Sequence, residues 1–221
     1  MSHFFYPNVQ FAKKAMPDKD FDELQEYIIG DHKKIPTYNF LKKGEVPTNK
    51  IEKAIVKMLG GQNHHIEYWV RCNDAPIWHV DGEEITQKND PAYTTHYGEK
   101  GPPYEQELSH TSYVLYMKVE LLYGGEFYVL PYNTYVKGRP ILDESYQPPP
   151  DAKVIKFFPR ENTCIKMTNN PYHMVDRIHQ GFRLVLVFAL WDHVPKGYKE
   201  HNHWMGLQHD KVVPMRWPLK E

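Results

Sequence analysis

GFRLVLVFALW, residues 181–191, is apolar on both faces of the extended strand that it predicts. One face would carry Phe182, Leu184, Leu186, Phe188 and Leu190, and the other Val185, Val187, Ala189 and Trp191. Strands that are apolar on both faces are typical of a sheet that is covered on both sides. The sequence therefore predicts a buried central strand here.

Arg183 interrupts this strand. A guanidinium on a buried strand face is strongly unfavourable unless an anion meets it. The strand itself contains no acidic residue. Two partners remain open: a carboxylate such as Glu126 on a neighbouring strand, or the carboxylate of a bound dicarboxylate ligand.

Other short β-rich runs precede this strand, separated by Pro, Gly and Asn, which predicts a sandwich or barrel. They are HIEYWVRC (65–72), TSYVLYMKVELL (111–122), GEFYVLP (125–131), AKVIKFF (152–158) and NTCIKM (162–167). Two amphipathic helices are predicted before residue 62, in residues 18–31 and 47–61. We expect one α+β domain over residues 1–221, with a helical region (1–61), a β core (62–191) and an irregular extension (192–221).

The composition narrows the functional classes. With 41% hydrophobic and 25% charged residues and a net charge of −1, the chain is typical of a soluble globular protein. The balanced charge offers no basic face for nucleic acid. No run approaches the roughly 18 apolar residues of a membrane span, and the N-terminus lacks a signal-peptide pattern. A content of only two cysteines is typical of proteins in a reducing compartment. We expect a cytoplasmic protein without a nucleic-acid or membrane partner; its oligomeric state is open.

WHVDGEE, residues 78–84, contains the first candidate site. His79 and Asp81 are two residues apart, so in an extended segment both side chains point to one side and could bind one ion; a solvated turn is the alternative. A third donor is available in His173, which follows the turn-forming Asn-Asn-Pro and precedes Arg183 by ten residues. Two imidazoles and one carboxylate are the ligand set of non-haem iron oxygenases.

The order of these residues along the chain resembles that of the 2-oxoglutarate- and Fe(II)-dependent dioxygenases, in particular the prolyl-hydroxylase-like branch. His79 and Asp81 match the HxD motif of that family, and residues 123–127 (YGGEF) match its Gly-Gly strand. His173 matches the distal histidine, and Arg183 the residue that binds the distal carboxylate of 2-oxoglutarate. The resemblance covers residues 66–191.

The resemblance implies a mainly β, double-stranded β-helix (jelly-roll) fold with the N-terminal helices packed on one sheet. It implies Fe(II) held by His79, Asp81 and His173, with 2-oxoglutarate as co-substrate and O2 as oxidant. The expected reaction is hydroxylation of a C–H bond of an amino acid, peptide or other small molecule, with release of succinate and CO2.

Details of the site follow from the same resemblance. This chain has Arg183-Leu184-Val185 where many relatives have Arg-x-Ser, so a tyrosine or water must assist the arginine; the candidates are Tyr116, Tyr113 and Tyr68. Asp81 stands where iron halogenases have Ala or Gly, which favours oxygen insertion.

Three further residues are candidates for contact with substrate. Arg177 could bind an anionic group, Trp78 could line the site or pack in the core, and Glu83 could touch substrate or lie on a solvated turn. Two other functions remain open: a cupin-like metalloenzyme that does not use 2-oxoglutarate, and a non-catalytic binding barrel.

Overall fold

The computed structural model of the chain describes residues 4–6, 8–31, 39–76, 78, 81–84, 106–130, 135–136, 139–140, 152–169 and 171–194. These residues form two helices and several antiparallel sheets. The prediction of a mainly β protein is confirmed, whereas the jelly-roll arrangement stays a prediction.

Helix α1 spans Asp18–Asp31 and helix α2 spans Lys50–Leu59. A capping box begins α2: the side chain of Asn49 accepts a hydrogen bond from the backbone N–H of Glu52, and the Glu52 carboxylate accepts one from the N–H of Asn49. Gly60, at φ 69°, ends the helix in the left-handed conformation that glycine adopts without strain. Both ends of α2 are therefore determined by residues adjacent to them in the sequence.

The strands form a large sheet, a smaller three-stranded sheet and two short pairs. In chain order the strands are β1 Phe4–Tyr6, β2 Val9–Lys13, β3 Asn39–Leu41, β4 His65–Cys72, β5 Gly82–Glu84, β6 Gln106–Leu108, β7 Thr111–Gly124, β8 Phe127–Val129, β9 Tyr135–Val136, β10 Arg139–Pro140, β11 Ile155–Phe157, β12 Thr163–Thr168, β13 His173–Val175 and β14 Ile178–Trp191. The large sheet has the order β1-β2-β12-β7-β14-β4-β3, and the three-stranded sheet has the order β11-β8-β13; every strand pair in both is antiparallel.

Strand β14 lies between β7 and β4 in the large sheet. Every residue from Phe182 to Trp191 is buried, as the two-sided apolar pattern predicts. We call the face of the large sheet that packs against the three-stranded sheet its inner face. Its buried core joins side chains of both sheets: Val9, Val114, Tyr116, Phe127, Val129, Ile165, Met167, Val175, Val185 and Val187.

The opposite face, which we call the outer face, contacts the helices. The Tyr68 hydroxyl on β4 donates to the Glu52 carboxylate of α2 at 2.9 Å. The Gln25 side chain of α1 donates to the backbone carbonyl of Met117 on β7. These bonds connect both helices to the outer face.

The chain divides into two compact units, residues 1–82 with 108–193, and residues 83–107 with 194–221. The first contains both helices and the two larger sheets; of the second, the structure describes parts of β5 and β6 and residue 194. The prediction of a single domain stays a prediction. Among the described residues, no helix is both long and apolar enough to span a bilayer.

Candidate functional site

His173 is buried at the start of β13, with 4% of its surface exposed. Its ring stacks on Phe127 of β8 with the centroids 5.3 Å apart, and its Nδ1 lies 3.0 Å from the backbone carbonyl oxygen of Pro171. A carbonyl oxygen only accepts hydrogen bonds, so Nδ1 is the donor in this contact, and in the neutral imidazole the lone pair then lies on Nε2. This orientation suits an imidazole that binds a metal through Nε2.

Asp81 faces that nitrogen. Its Oδ1 lies 3.6 Å from Nε2 of His173, and both side chains are nearly excluded from solvent. This distance is too long for a hydrogen bond. Two atoms that each lie about 2.1 Å from one ion are about 3.0 Å apart at a right angle and about 3.6 Å apart at 120°. The pair therefore fits two ligands of one metal ion.

The third predicted ligand, His79, lies outside the described residues. Within the described part of the chain, no group of three His, Cys, Asp or Glu side chains is placed to hold a metal. The structure thus brings together Asp81 and His173, which are far apart in the sequence. The three-ligand site stays a prediction.

Arg183 lies on β14 with 2% of its surface exposed, and it shares the inner face with Val185. One Nη donates to the carbonyl of Gly125 at 3.3 Å and the other to the carbonyl of Asp74. Among the described residues, no carboxylate lies within 4.0 Å of the guanidinium, and Nε has no hydrogen-bond partner. Glu126, the protein carboxylate considered as its partner, instead contacts Lys156 at 3.0 Å.

Burial lowers the pKa of Arg183, while the nearby Tyr116, Asp74 and Cys72 act in the opposite direction. Among the described residues, the hydrogen-bond acceptors of this buried cation are neutral carbonyl groups, which leaves a large desolvation cost. A negatively charged ligand beside the guanidinium would offset that cost.

Tyr116 is the tyrosine that accompanies Arg183 on the inner face. It pairs with Val185 across β7 and β14, and its side chain is fully buried. Its hydroxyl has no hydrogen-bond partner within the described ranges. Burial raises its pKa, although the positive charge of Arg183 acts to lower it, so the hydroxyl is a neutral donor.

The other two candidate tyrosines lie on the outer face. Tyr113 stacks on Phe188 with the ring centroids 4.5 Å apart, and burial raises its pKa to about 12. Tyr68 bonds to Glu52 and Asn49. Side chains alternate along a strand, so both rings point away from Arg183. The structure therefore does not bring them to the guanidinium.

The structure describes the surroundings of two of the three substrate candidates. Trp78 packs in an apolar cluster with Leu130 and Tyr172, in agreement with a core role. Arg177 is exposed between β13 and β14. Glu83 lies in β5, and its side chain is outside what the structure describes.

Several groups of the site were not predicted from the sequence. The carbonyls of Gly125 and Asp74 hold the guanidinium, and the carbonyl of Pro171 orients His173. Backbone acceptors leave no residue-type signal. Asn73 and Asp74 do belong to a recognisable turn cluster after β4, but that signal predicts a turn and not its contact with Arg183.

No family model matches the sequence, and no curated protein matches it. Solved structures with a similar fold include a prolyl-4-hydroxylase from Pseudomonas putida, at 11% identity and a TM-score of 0.45, over 85% of this chain and 94% of that one. HygX from Streptomyces hygroscopicus, with nickel and 2-oxoglutarate bound, is similar at 8% identity and a TM-score of 0.47, over 82% and 81% of the two chains. The viral collagen prolyl hydroxylase vCPH from Paramecium Bursaria Chlorella virus-1 is similar at 15% identity and a TM-score of 0.42, over 82% and 94%.

Proposed function

We propose that this protein is an Fe(II)- and 2-oxoglutarate-dependent oxygenase that hydroxylates a C–H bond. One observation carries the proposal: a buried arginine without a carboxylate partner in the described chain shares the inner face with a buried tyrosine hydroxyl, and the His173–Asp81 pair lies by the same core. The overall reaction would convert 2-oxoglutarate, O2 and R–H into succinate, CO2 and R–OH.

The arginine and the tyrosine suit a carboxylate ligand. A guanidinium has five N–H donors, and the two bonds to Gly125 and Asp74 leave others for a ligand. Hydrogen bonds between a guanidinium and a carboxylate are about twice as strong as neutral ones. The Tyr116 hydroxyl supplies one further neutral donor. We infer that Arg183 and Tyr116 bind the distal carboxylate of 2-oxoglutarate.

The metal ligands in this proposal are Asp81, His173 and the predicted His79. Stacking on Phe127 and the bond from Nδ1 to Pro171 hold the His173 ring with Nε2 toward Asp81. The chemistry that bound iron supplies in such a site is the activation of O2 during oxidative decarboxylation of 2-oxoglutarate. The residues of this chain hold the co-substrate and keep water away from it.

The substrate in this proposal is an amino acid, a peptide or another small molecule. Arg177, Trp78 and Glu83 stay predictions as substrate contacts. A cytoplasmic location and the absence of nucleic-acid or membrane partners stay predictions as well.

A spectroscopic titration tests the proposal. Under anaerobic conditions, 2-oxoglutarate added to the Fe(II) protein should produce a visible metal-to-ligand charge-transfer band, which needs the 2-oxo acid to chelate iron. The band should be absent in His173→Ala and present in Arg160→Leu, which changes an exposed arginine. Admission of O2 should then release succinate.

The same titration separates the other two functions. A cupin-like metalloenzyme would bind iron without developing the band, and it leaves Arg183 and Tyr116 without a role. A binding barrel would neither show the band nor depend on His173. The absence of the band in the wild-type protein would therefore overturn the proposal. A search for products heavier by one oxygen atom, across amino-acid and peptide libraries, would identify the substrate.

A further inference from the structure

The regular pairing of β14 with β4 does not include Arg183, because along β14 it begins at the next residue, Leu184. Its terminal pair is Leu184 with Cys72, the last residue of β4, and the following residue, Asn73, turns away with φ 51°. On the other side, the pairing of β14 with β7 shifts register on both sides of this position. Arg183 keeps a regular partner on β7, Val119, within a run of three pairs between these two shifts, but the regular pairing with β4 does not reach it.

Asn73 replaces a hydrogen bond to the backbone of Arg183 that its own turn removes. Its backbone N–H donates to the carbonyl of Arg183 at 2.9 Å, as in a regular antiparallel pair. The backbone N–H of Arg183 would ordinarily donate to the carbonyl of residue 73, but it donates to the Asn73 side-chain Oδ1 at 2.7 Å. The side-chain amide thus replaces the backbone carbonyl as the acceptor.

The turn also directs the following carbonyls into the site. The carbonyl of Asp74 accepts a hydrogen bond from a terminal nitrogen of Arg183. The carbonyl of Pro76 accepts one from the backbone N–H of Val175, in the strand that begins with His173. Residues 73–76 therefore contact both the guanidinium and the strand of the predicted metal ligand.

We propose that Asn73 is a positioning residue that sets the place of the Arg183 guanidinium for a carboxylate ligand. Two properties of asparagine serve this role: it tolerates the left-handed backbone conformation, and its side chain carries a carbonyl acceptor. The inference rests on the proposed function only in naming 2-oxoglutarate as that ligand.

Two substitutions separate these properties. Asn73→Gly keeps the turn, because glycine adopts positive φ freely, but it removes Oδ1 and leaves the Arg183 N–H without this acceptor. Asn73→Asp keeps an acceptor oxygen and tolerates the same backbone conformation. As a matched control, Asn169→Gly changes another left-handed asparagine, at φ 59°, whose side chain bonds to Asn8.

The first measurement is 2-oxoglutarate affinity, from the anaerobic titration of the Fe(II) protein. Asn73→Gly should weaken it about tenfold, the effect of losing one hydrogen bond that orders the site. Asn73→Asp should lie between that variant and the wild type, and Asn169→Gly should match the wild type. Fe(II) affinity without 2-oxoglutarate should be unchanged in all three. Unchanged 2-oxoglutarate affinity in Asn73→Gly, or equal loss in Asn169→Gly, would overturn the inference.

The second measurement does not depend on the proposed reaction. In the full-length protein, amide hydrogen exchange at Arg183 should be about tenfold faster in Asn73→Gly than in the wild type, and slow again in Asn73→Asp. If the wild-type protein shows no charge-transfer band, the proposed function fails, while this exchange pattern still tests the role of Asn73. Equal exchange in the wild type and Asn73→Gly contradicts that role.

Discussion

Replacing Arg183 with leucine should remove most of the stabilisation of the protein by 2-oxoglutarate while hardly changing the stability of the ligand-free protein. In the ligand-free protein, the guanidinium is buried with two carbonyl contacts and no carboxylate within 4.0 Å in the described chain. Leucine removes the free-energy cost of keeping a charged group away from water, and this gain in stability offsets the loss of the two hydrogen bonds. The ligand-free variant should therefore melt close to the wild-type temperature.

The ligand-bound protein should behave differently. Breaking one buried charge pair costs about 3 kcal/mol, which weakens 2-oxoglutarate binding about 150-fold. At a concentration of 100 times the wild-type Kd, 2-oxoglutarate stabilises the wild-type protein by about 2.7 kcal/mol and the variant by about 0.3 kcal/mol. For a chain of 221 residues, these energies raise the melting temperature by about 5–11 °C and about 1 °C, respectively.

Thermal unfolding of the anaerobic Fe(II) protein, with and without 2-oxoglutarate, measures both effects. Arg160→Leu removes an exposed arginine and should keep the full ligand-induced shift. An equal shift in Arg183→Leu would refute the carboxylate-binding role. A large loss of stability in the ligand-free variant would show that the guanidinium is mainly structural.

Three further predictions concern the metal, pH and backbone strain. His173→Ala and Asp81→Ala should each abolish Fe(II) binding in equilibrium dialysis, whereas Arg183→Leu should leave it unchanged; iron retained by either of the first two contradicts their assignment. Burial raises the pKa of Glu52, but its hydrogen bonds outweigh this effect and lower the pKa below 4.5 in the folded protein. The stability that Glu52 contributes should therefore be fully present above about pH 4.5 and be lost as the pH drops through the folded pKa. Urea unfolding of Glu52→Gln should show a weaker pH dependence in this range, and an identical dependence would exclude Glu52 as its source. Gly124 has φ 82°, and a Cβ there would lie 2.1 Å from the carbonyl oxygen of Arg177. Gly124→Ala should cost about 3 kcal/mol in urea unfolding, and a cost near zero would show that this turn adapts freely.

Much of the fold was predictable because its signals are local. The alternation in residues 181–191 predicts a buried strand without knowledge of its neighbours. Asn49 and Gly60 mark the ends of α2 through hydrogen bonding and backbone conformation within one turn. Arg183 stood out because a charge in an apolar strand needs an anion, which is also a local argument.

The site was less predictable because it depends on contacts between distant segments. Alternation places Tyr113 and Tyr116 on opposite faces of β7, but it does not say which face Arg183 shares. That choice depends on the register between β7 and β14, which includes a bulge between Leu184 and Val185.

From residue types and spacing alone came the β-rich class, the central strand with its unmatched arginine, and the candidates Asp81 and His173. The fold added the approach of Asp81 to His173, the placement of Tyr116 on the same sheet face as Arg183, and the replacement of a backbone acceptor by the Asn73 side chain. The physical reason is that a burial pattern can be recognised within one segment of sequence. Strand register and the convergence of side chains depend instead on packing between segments far apart in the chain.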